Sequence, residues 1–238
     1  MKNGVTIGVV LTVLSLTMGA AHGDVFGGAT VEAWAESSPG ASDHEIPVVM
    51  DFGGGNQYVF GYRWNDGDTV TRPVRVSGDP DYVNYQTYTV TYGAGTEVPG
   101  NTSEAAILSL DAVGGMVLDT WYYSFGMVIS DILYGSDEMG QNIAGQEVPA
   151  LWLCGRDPYT DWQGTSHPAS SPDSRTWEYS PLGIGGRVLH DGYWDGWSPR
   201  DLAWNTTAPG ITPAPEPATM LLLGGMAAPF VLKRRRRK

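Results

Sequence analysis

Between residues 46 and 92 apolar side chains recur at every second position in short runs. Ile46, Val48, Met50 and Phe52 share one parity, as do Tyr58, Phe60, Tyr62 and Trp64, then Val70, Val74 and Val76. Tyr88, Val90 and Tyr92 repeat the pattern, with Thr87, Thr89 and Thr91 on the other face. A period of two over runs of this length predicts half-buried strands. Turn chemistry separates them: Gly53-Gly54-Gly55-Asn56, Asn65-Asp66-Gly67-Asp68, Ser77-Gly78-Asp79-Pro80 and Gly93-Ala94-Gly95. The second of these is suited to close a tight hairpin from Trp64 to Val70. One stretch breaks the alternation. Thr102 can cap a helix with Glu104 in its first turn, residues 105–110 as its body and Gly114 as its stop. Further strands are expected over residues 116–123, 125–133 and 149–154, while residues 155–181, dense in Pro, Ser, Asp and Thr, read as a long surface loop. The pattern predicts a mainly β fold, an antiparallel, jelly-roll-like β-sandwich with one short accessory helix.

The two ends follow other rules. Lys2, an apolar run over residues 5–16 and the small residues Gly19, Ala20 and Ala21 give the order of a secretory signal peptide over residues 1–23, cut between Ala21 and Asp24. The competing reading is a permanent membrane helix. Thr6, Gly8, Thr12 and Ser15 interrupt the run, and it falls short of the roughly 20 residues a bilayer core demands. An exported β-rich domain is expected over residues 24–208, followed by a Pro-rich linker over 209–214. Then come Pro215, Glu216 and Pro217, an apolar stretch from Met220 to Leu232, and a cluster of Lys233, Arg234, Arg235, Arg236, Arg237 and Lys238. Prolines hold a lead-in extended, an apolar run partitions into lipid, and a basic cluster stays on the cytoplasmic side. Such a segment pauses an exported chain in the membrane.

At these residues the chain resembles the PEP-CTERM sorting domain of exopolysaccharide-producing Gram-negative bacteria. Pro215-Glu216-Pro217-Ala218-Thr219, then Leu221, Leu222, Leu223, Gly224 and Gly225, then the arginine run match its motif in order and spacing over residues 215–238. The resemblance implies processing near the Pro-Glu-Pro by exosortase, a membrane-embedded cysteine protease, after transient anchoring in the inner membrane, with delivery to the cell surface. It implies secretion machinery and exosortase as partners, and exopolysaccharide as a further one. The alternative is a single-pass tail anchor, which Gly224, Gly225 and Pro229 weaken as a stable helix. Two inner stretches, Tyr58-Val59-Phe60-Gly61-Tyr62-Arg63-Trp64 and Leu189-His190-Asp191-Gly192-Tyr193-Trp194-Asp195-Gly196-Trp197-Ser198, look like segments of a group of PEP-CTERM proteins. That likeness implies no activity.

Charge sharpens the picture. All three lysines and four arginines sit in the terminal segments, so residues 24–212 hold seven arginines against 25 acids, a net charge of −18 behind the whole-chain value of −12. Such a surface repels nucleic acid. Cys154, the single cysteine, can form no intrachain disulfide and reads as a small core residue within Leu151-Trp152-Leu153-Cys154-Gly155.

The chemistry-bearing candidates are few. Trp177, Tyr179, Tyr193, Trp194, Trp197 and Trp204 crowd the end of the domain among His190, Asp191, Asp195 and Asp201. Two readings stand: aromatic faces that stack on sugar rings, with Trp177, Tyr193, Trp194 and Trp197 as the ligand residues, or core tryptophans beside Asp-Gly turns. Asn65, Asp66 and Asp68, and separately Asp79, Asp81 and Asn84, offer oxygens of the kind calcium prefers, yet neither group has the spacing of a calcium loop. No other cofactor is expected. His44, His167 and His190 are scattered singly, and no nucleophile elbow, zinc-helix or phosphate-loop pattern occurs, so no catalytic residue is assigned and a non-enzymatic surface or matrix protein is expected. A carbohydrate-binding module and a hydrolase on a β-scaffold are the alternatives, the last requiring two carboxylates across an open cleft.

Overall fold

A computed structural model describes residues 25–26, 28–72, 95–113, 115–123, 126–161, 163–180 and 183–214. The expected signal peptide, the strands around Val74 and Tyr88, the Gly114 stop, and the sorting residues Pro215, Glu216, Pro217, Leu221 to Gly225 and Arg234 to Arg237 lie outside them.

The chain folds into β1 (Val25–Phe26), β2 (Ala29–Glu36), β3 (His44–Asp51), β4 (Gln57–Trp64), β5 (Thr69–Thr71) and β6 (Glu97–Pro99), then helix α1 (Ser103–Asp111). After it come β7 (Met116–Tyr123), β8 (Gly126–Tyr134), β9 (Asp137–Gly140), β10 (Gln146–Cys154), β11 (Tyr159–Thr160), β12 (Ser166–His167), β13 (Glu178–Tyr179) and β14 (Trp194–Asp201). A seven-stranded sheet runs β1-β2-β4-β3-β14-β10-β13, and a three-stranded sheet runs β7-β8-β9. The expected mainly β, sandwich-like fold with one helix is what forms.

The alternation does its work on the inner face of the large sheet. Ile46, Val48 and Met50 of β3, Phe60, Tyr62 and Trp64 of β4 and Leu151 and Leu153 of β10 join one buried cluster with Leu118, Ile129, Ile132 and Met139 of the smaller sheet. Helix α1 completes it. Thr102 Oγ1 accepts from the Ala105 N–H at 3.1 Å, as its sequence position predicts, and residues 103–110 are all buried. A helix with no exposed stripe among these residues belongs inside a core.

Most pairings are antiparallel, but β2 runs parallel to β4 and β14 parallel to β3. Both pairs join strands far apart in the chain, where no tight turn dictates direction. The β3–β4 hairpin is closed by the Gly53-Gly54-Gly55-Asn56 turn, with the Phe52 N–H donating to the Asn56 carbonyl at 2.9 Å. The expected hairpin from Trp64 to Val70 does not form. The local turn is made, with the Asp68 N–H on the Asn65 carbonyl at 3.1 Å, yet β5 leaves the large sheet and pairs with β6. The expected 155–181 loop also carries structure, the β11–β12 hairpin and edge strand β13.

Candidate functional site

Strand β14 fixes where the aromatic cluster points. Trp194 and Trp197 are three residues apart, so they fall on opposite faces of the strand. Trp197 joins the inner core at 4% exposure. Trp194, 2% exposed, lies on the outer face with Phe26, Val49, Val59 and Cys154, and its ring meets Phe26 edge-on at 5.8 Å and Trp177 at 6.4 Å. Tyr193 is buried as well, and Gly155 gives it room, since a Cβ at that glycine would strike its ring. The arrangement brings Trp177, Tyr193 and Trp194 into packing positions, where no sugar ring reaches the two tryptophans of β14 without opening the core. Burial also raises the Cys154 thiol pKa, which leaves it a poor nucleophile.

The outer face is covered by the chain's own continuation. Beyond β14 a hairpin returns along the strand, with Arg200 bridged to Thr206. Residues 205–214 then cross the sheet as a strap. The Thr206 hydroxyl bonds the Pro199 carbonyl at 2.9 Å, the Gly210 N–H donates to Asp51 at 3.0 Å, and Trp177 Nε1 donates to the Ile211 carbonyl at 2.9 Å. Pro209 and Pro213 are buried. Pro209 and Trp177 close over Gly196, where a Cβ would lie 2.8 Å from Pro209 Cγ and 3.0 Å from Trp177 Cη2. Trp34 lies over Gly61 in the same way on β4, with the Arg63 guanidinium 3.6 Å above its ring centroid. The stretch 209–214, expected as a linker, is thus docked on the domain.

Between the strap, the Gly53–Gly55 turn and the end of β14 opens a cleft of about 560 Å³. Its polar lining includes Asp51, Gln57, Gln146, Arg200, Asp201 and Asn205. In the hairpin tip, next to the lining residue Asn205, stands Trp204, 66% exposed and in a left-handed backbone conformation with φ 66°. That conformation costs a non-glycine residue roughly 1–2 kcal/mol. The Asp201 carboxylate holds the tip by accepting from Asn205 Nδ2 and from the N–H groups of Asn205 and Ala203, and these bonds lower its pKa. Arg200 lies under the Trp204 ring, 4.2 Å from its centroid, and donates to the Tyr179 hydroxyl at 3.0 Å. In the sequence Trp204 is one aromatic of a crowd, and nothing sets Arg200 apart.

The other candidates resolve into structural pairs. Asp68 accepts from the hydroxyls of Ser37 and Ser38 and from the Asn65 N–H, which lowers its pKa. Asn65 Oδ1 takes the Ser42 N–H at 3.0 Å, and Asp66 bonds His44 Nε2 at 3.1 Å, so these oxygens serve different partners. Asp79, Asp81 and Asn84 lie outside the described residues. Among the described residues no three His, Cys, Asp or Glu side chains converge as a metal site requires. Each described histidine meets an aspartate: His44 bonds Asp191 at 3.0 Å, His167 bonds Asp161 at 3.0 Å and His190 bonds Asp157 at 2.9 Å. Of the carboxylates, Asp51 and Asp201 line the cleft, and both are engaged by turn and strap donors. Asp119 and Asp131 are register partners in β7 and β8, but both are buried within the sheet, where burial raises the Asp131 pKa.

The strap runs into the segment that decides the chain's route. The profile of the PEP-CTERM protein-sorting motif matches residues 213–237, so the match begins at the strap's buried Pro213. The chain carries a PEP-CTERM sorting motif. It is accordingly an exported, exosortase-sorted protein, held at the membrane during sorting. No curated protein and no solved structure matches the chain. Among the described residues no helix is long and apolar enough to cross a membrane.

Proposed function

We propose that this PEP-CTERM protein works at the cell surface as a non-catalytic component of a polysaccharide-rich matrix. The observation that carries the reading is the sorting motif over residues 213–237, joined to a compact domain through a docked strap. Asp51 and Asp201, the two carboxylates of the cleft, are occupied in holding the strap and the hairpin tip. The general acid of a glycoside hydrolase needs a raised pKa, whereas that of Asp201 is lowered. These features support a binding or scaffolding role over hydrolysis.

Mass spectrometry of the protein recovered from the washed matrix of its native host tests the proposal. The expected product lacks the N-terminal apolar segment and ends near Glu216. Recovery only in the cytosol, with Met1 and Lys238 both present, would overturn it. The cleft favours a second reading, carbohydrate binding: an exposed tryptophan stands beside hydroxyl and amide groups.

A further inference from the structure

Arg200 stands apart from the other described arginines. Arg63 pairs with Glu45, Arg72 with Glu104, Arg156 with Glu178 and Arg187 with Asp195, while Arg175 is exposed. Arg200 is 5% exposed, and among the described residues no carboxylate pairs with it. Its Nε has no hydrogen-bond partner there, and its one side-chain bond goes to the neutral Tyr179 hydroxyl. Acids outnumber arginines 25 to seven over residues 24–212, so the absence of a counter-charge is not for want of carboxylates in the chain. A buried cation left without an anion is destabilising. A position that keeps one, at the wall of an open cleft, is suited to an anion from outside.

The surroundings narrow the class. Arg200 borders both the large cleft and an apolar groove of about 230 Å³ beside Tyr179. Gln57, Gln146, Asn205, Thr206 and Thr207 give the cleft amides and hydroxyls, the donors and acceptors that sugar hydroxyls require. Trp204 covers the guanidinium with one face, is largely exposed, and adopts a disfavoured backbone to stand there. A planar guanidinium receives a carboxylate through charge-assisted hydrogen bonds, and an indole face stacks on the apolar face of a pyranose.

We infer that the cleft beside the strap binds an acidic saccharide, with the carboxylate of a uronate-type sugar at Arg200 and its ring against Trp204. The inference rests on the matrix reading above and names its ligand. The domain's overall negative charge repels a polyanion, but physiological salt screens charges more than roughly 8 Å apart, and the nearer Asp51 and Asp201 of the cleft already accept from turn and strap donors.

Calorimetric titration of the purified exported protein decides it, with a galacturonate oligomer, a neutral cello-oligomer and a sulfated oligomer as probes. The galacturonate oligomer is expected to bind saturably and the neutral one not. Arg200→Gln should weaken binding at least tenfold, and Arg175→Gln should leave it within twofold. Because the Trp204 side chain is exposed, Trp204→Ala keeps the test meaningful should Arg200→Gln fail to fold, and it too should weaken binding tenfold. Absence of saturable galacturonate binding overturns the inference, as do undiminished binding by either cleft variant or tighter binding of the sulfated probe. Binding of the neutral oligomer alone overturns the acidic assignment and leaves the matrix reading standing, whereas a cytosolic, uncut protein removes the latter.

Discussion

Truncating Trp194 to alanine asks whether the β14 tryptophans hold the fold or face a ligand. At 2% exposure nearly all of the side chain is out of water. A tryptophan buries about 150–250 Å², which at about 25 cal/mol per Å² corresponds to ~4–6 kcal/mol. Truncations of buried aromatics cost about 3–5 kcal/mol, since neighbours relax partly into the space. Here relaxation is limited, because Phe26 and Trp177 approach edge-on and Trp177 also holds the Ile211 carbonyl. A loss of ~4 kcal/mol is therefore expected. In a domain of this size each kcal/mol moves Tm by about 2–4 °C, so Trp194→Ala should melt ~8–16 °C below the wild type. Scanning calorimetry of the exported protein measures this, with Trp204→Ala as the control. That side chain is 66% exposed, and losing its stack on Arg200 should cost no more than about 1 kcal/mol, well short of the Trp194 effect. If Trp194→Ala melts within about 3 °C of the wild type yet loses a glycan ligand, the packing argument is refuted.

Two further outcomes follow from the strap and the histidines. Gly196→Ala places a methyl 2.8 Å from Pro209 Cγ and should cost about 1–3 kcal/mol by overpacking. Hydrogen exchange at the Gly210 amide, which donates to Asp51, should then quicken more than at Val48, and equal protection in both proteins would count against the strap being held there. His44 has a raised pKa, chiefly through its hydrogen bond to Asp191, with Asp66 adding to it. Its contribution is complete below the unfolded value near 6.5 and fades as pH climbs through the raised folded value, so the Tm gap between wild type and His44→Gln should shrink as pH rises above about 6.5. A gap that widens with pH would contradict the assignment. Asp68, Asp161 and Asp201, whose pKa values are lowered, act in the other direction: their contributions are present at neutral pH and are lost as acid protonates them.

The inner face of the large sheet was legible from residue parity alone. Ile46, Val48 and Met50 are read as one face and are found on one, and Thr102 caps the helix it was assigned. The opposite parity could not be read so simply. Val49 and Val59 are also buried, because the strap and Trp177 close the outer face, and a run of prolines gives no local sign of where it will lie. The failed Trp64–Val70 hairpin has the same origin: its turn is local and formed, while the partner of β5 is chosen 26 residues away, as in the Thr71–Glu97 contact. For the aromatic cluster a signal was present, since a spacing of three within a strand puts Trp194 and Trp197 on opposite sides. Nothing in the sequence marks Arg200. A lone arginine acquires meaning only once the absence of a facing acid can be seen.

The docked strap also bears on how a processed form would be mounted. Pro213 is buried and Pro215 follows two residues later, a span that extended chain bridges in about 7 Å. A cut beside Glu216 would fall two residues after Ala214, the end of the docked strap. A surface that retained such an end would then hold the domain close to its docked strap, as a peg in a socket and not as a float on a line.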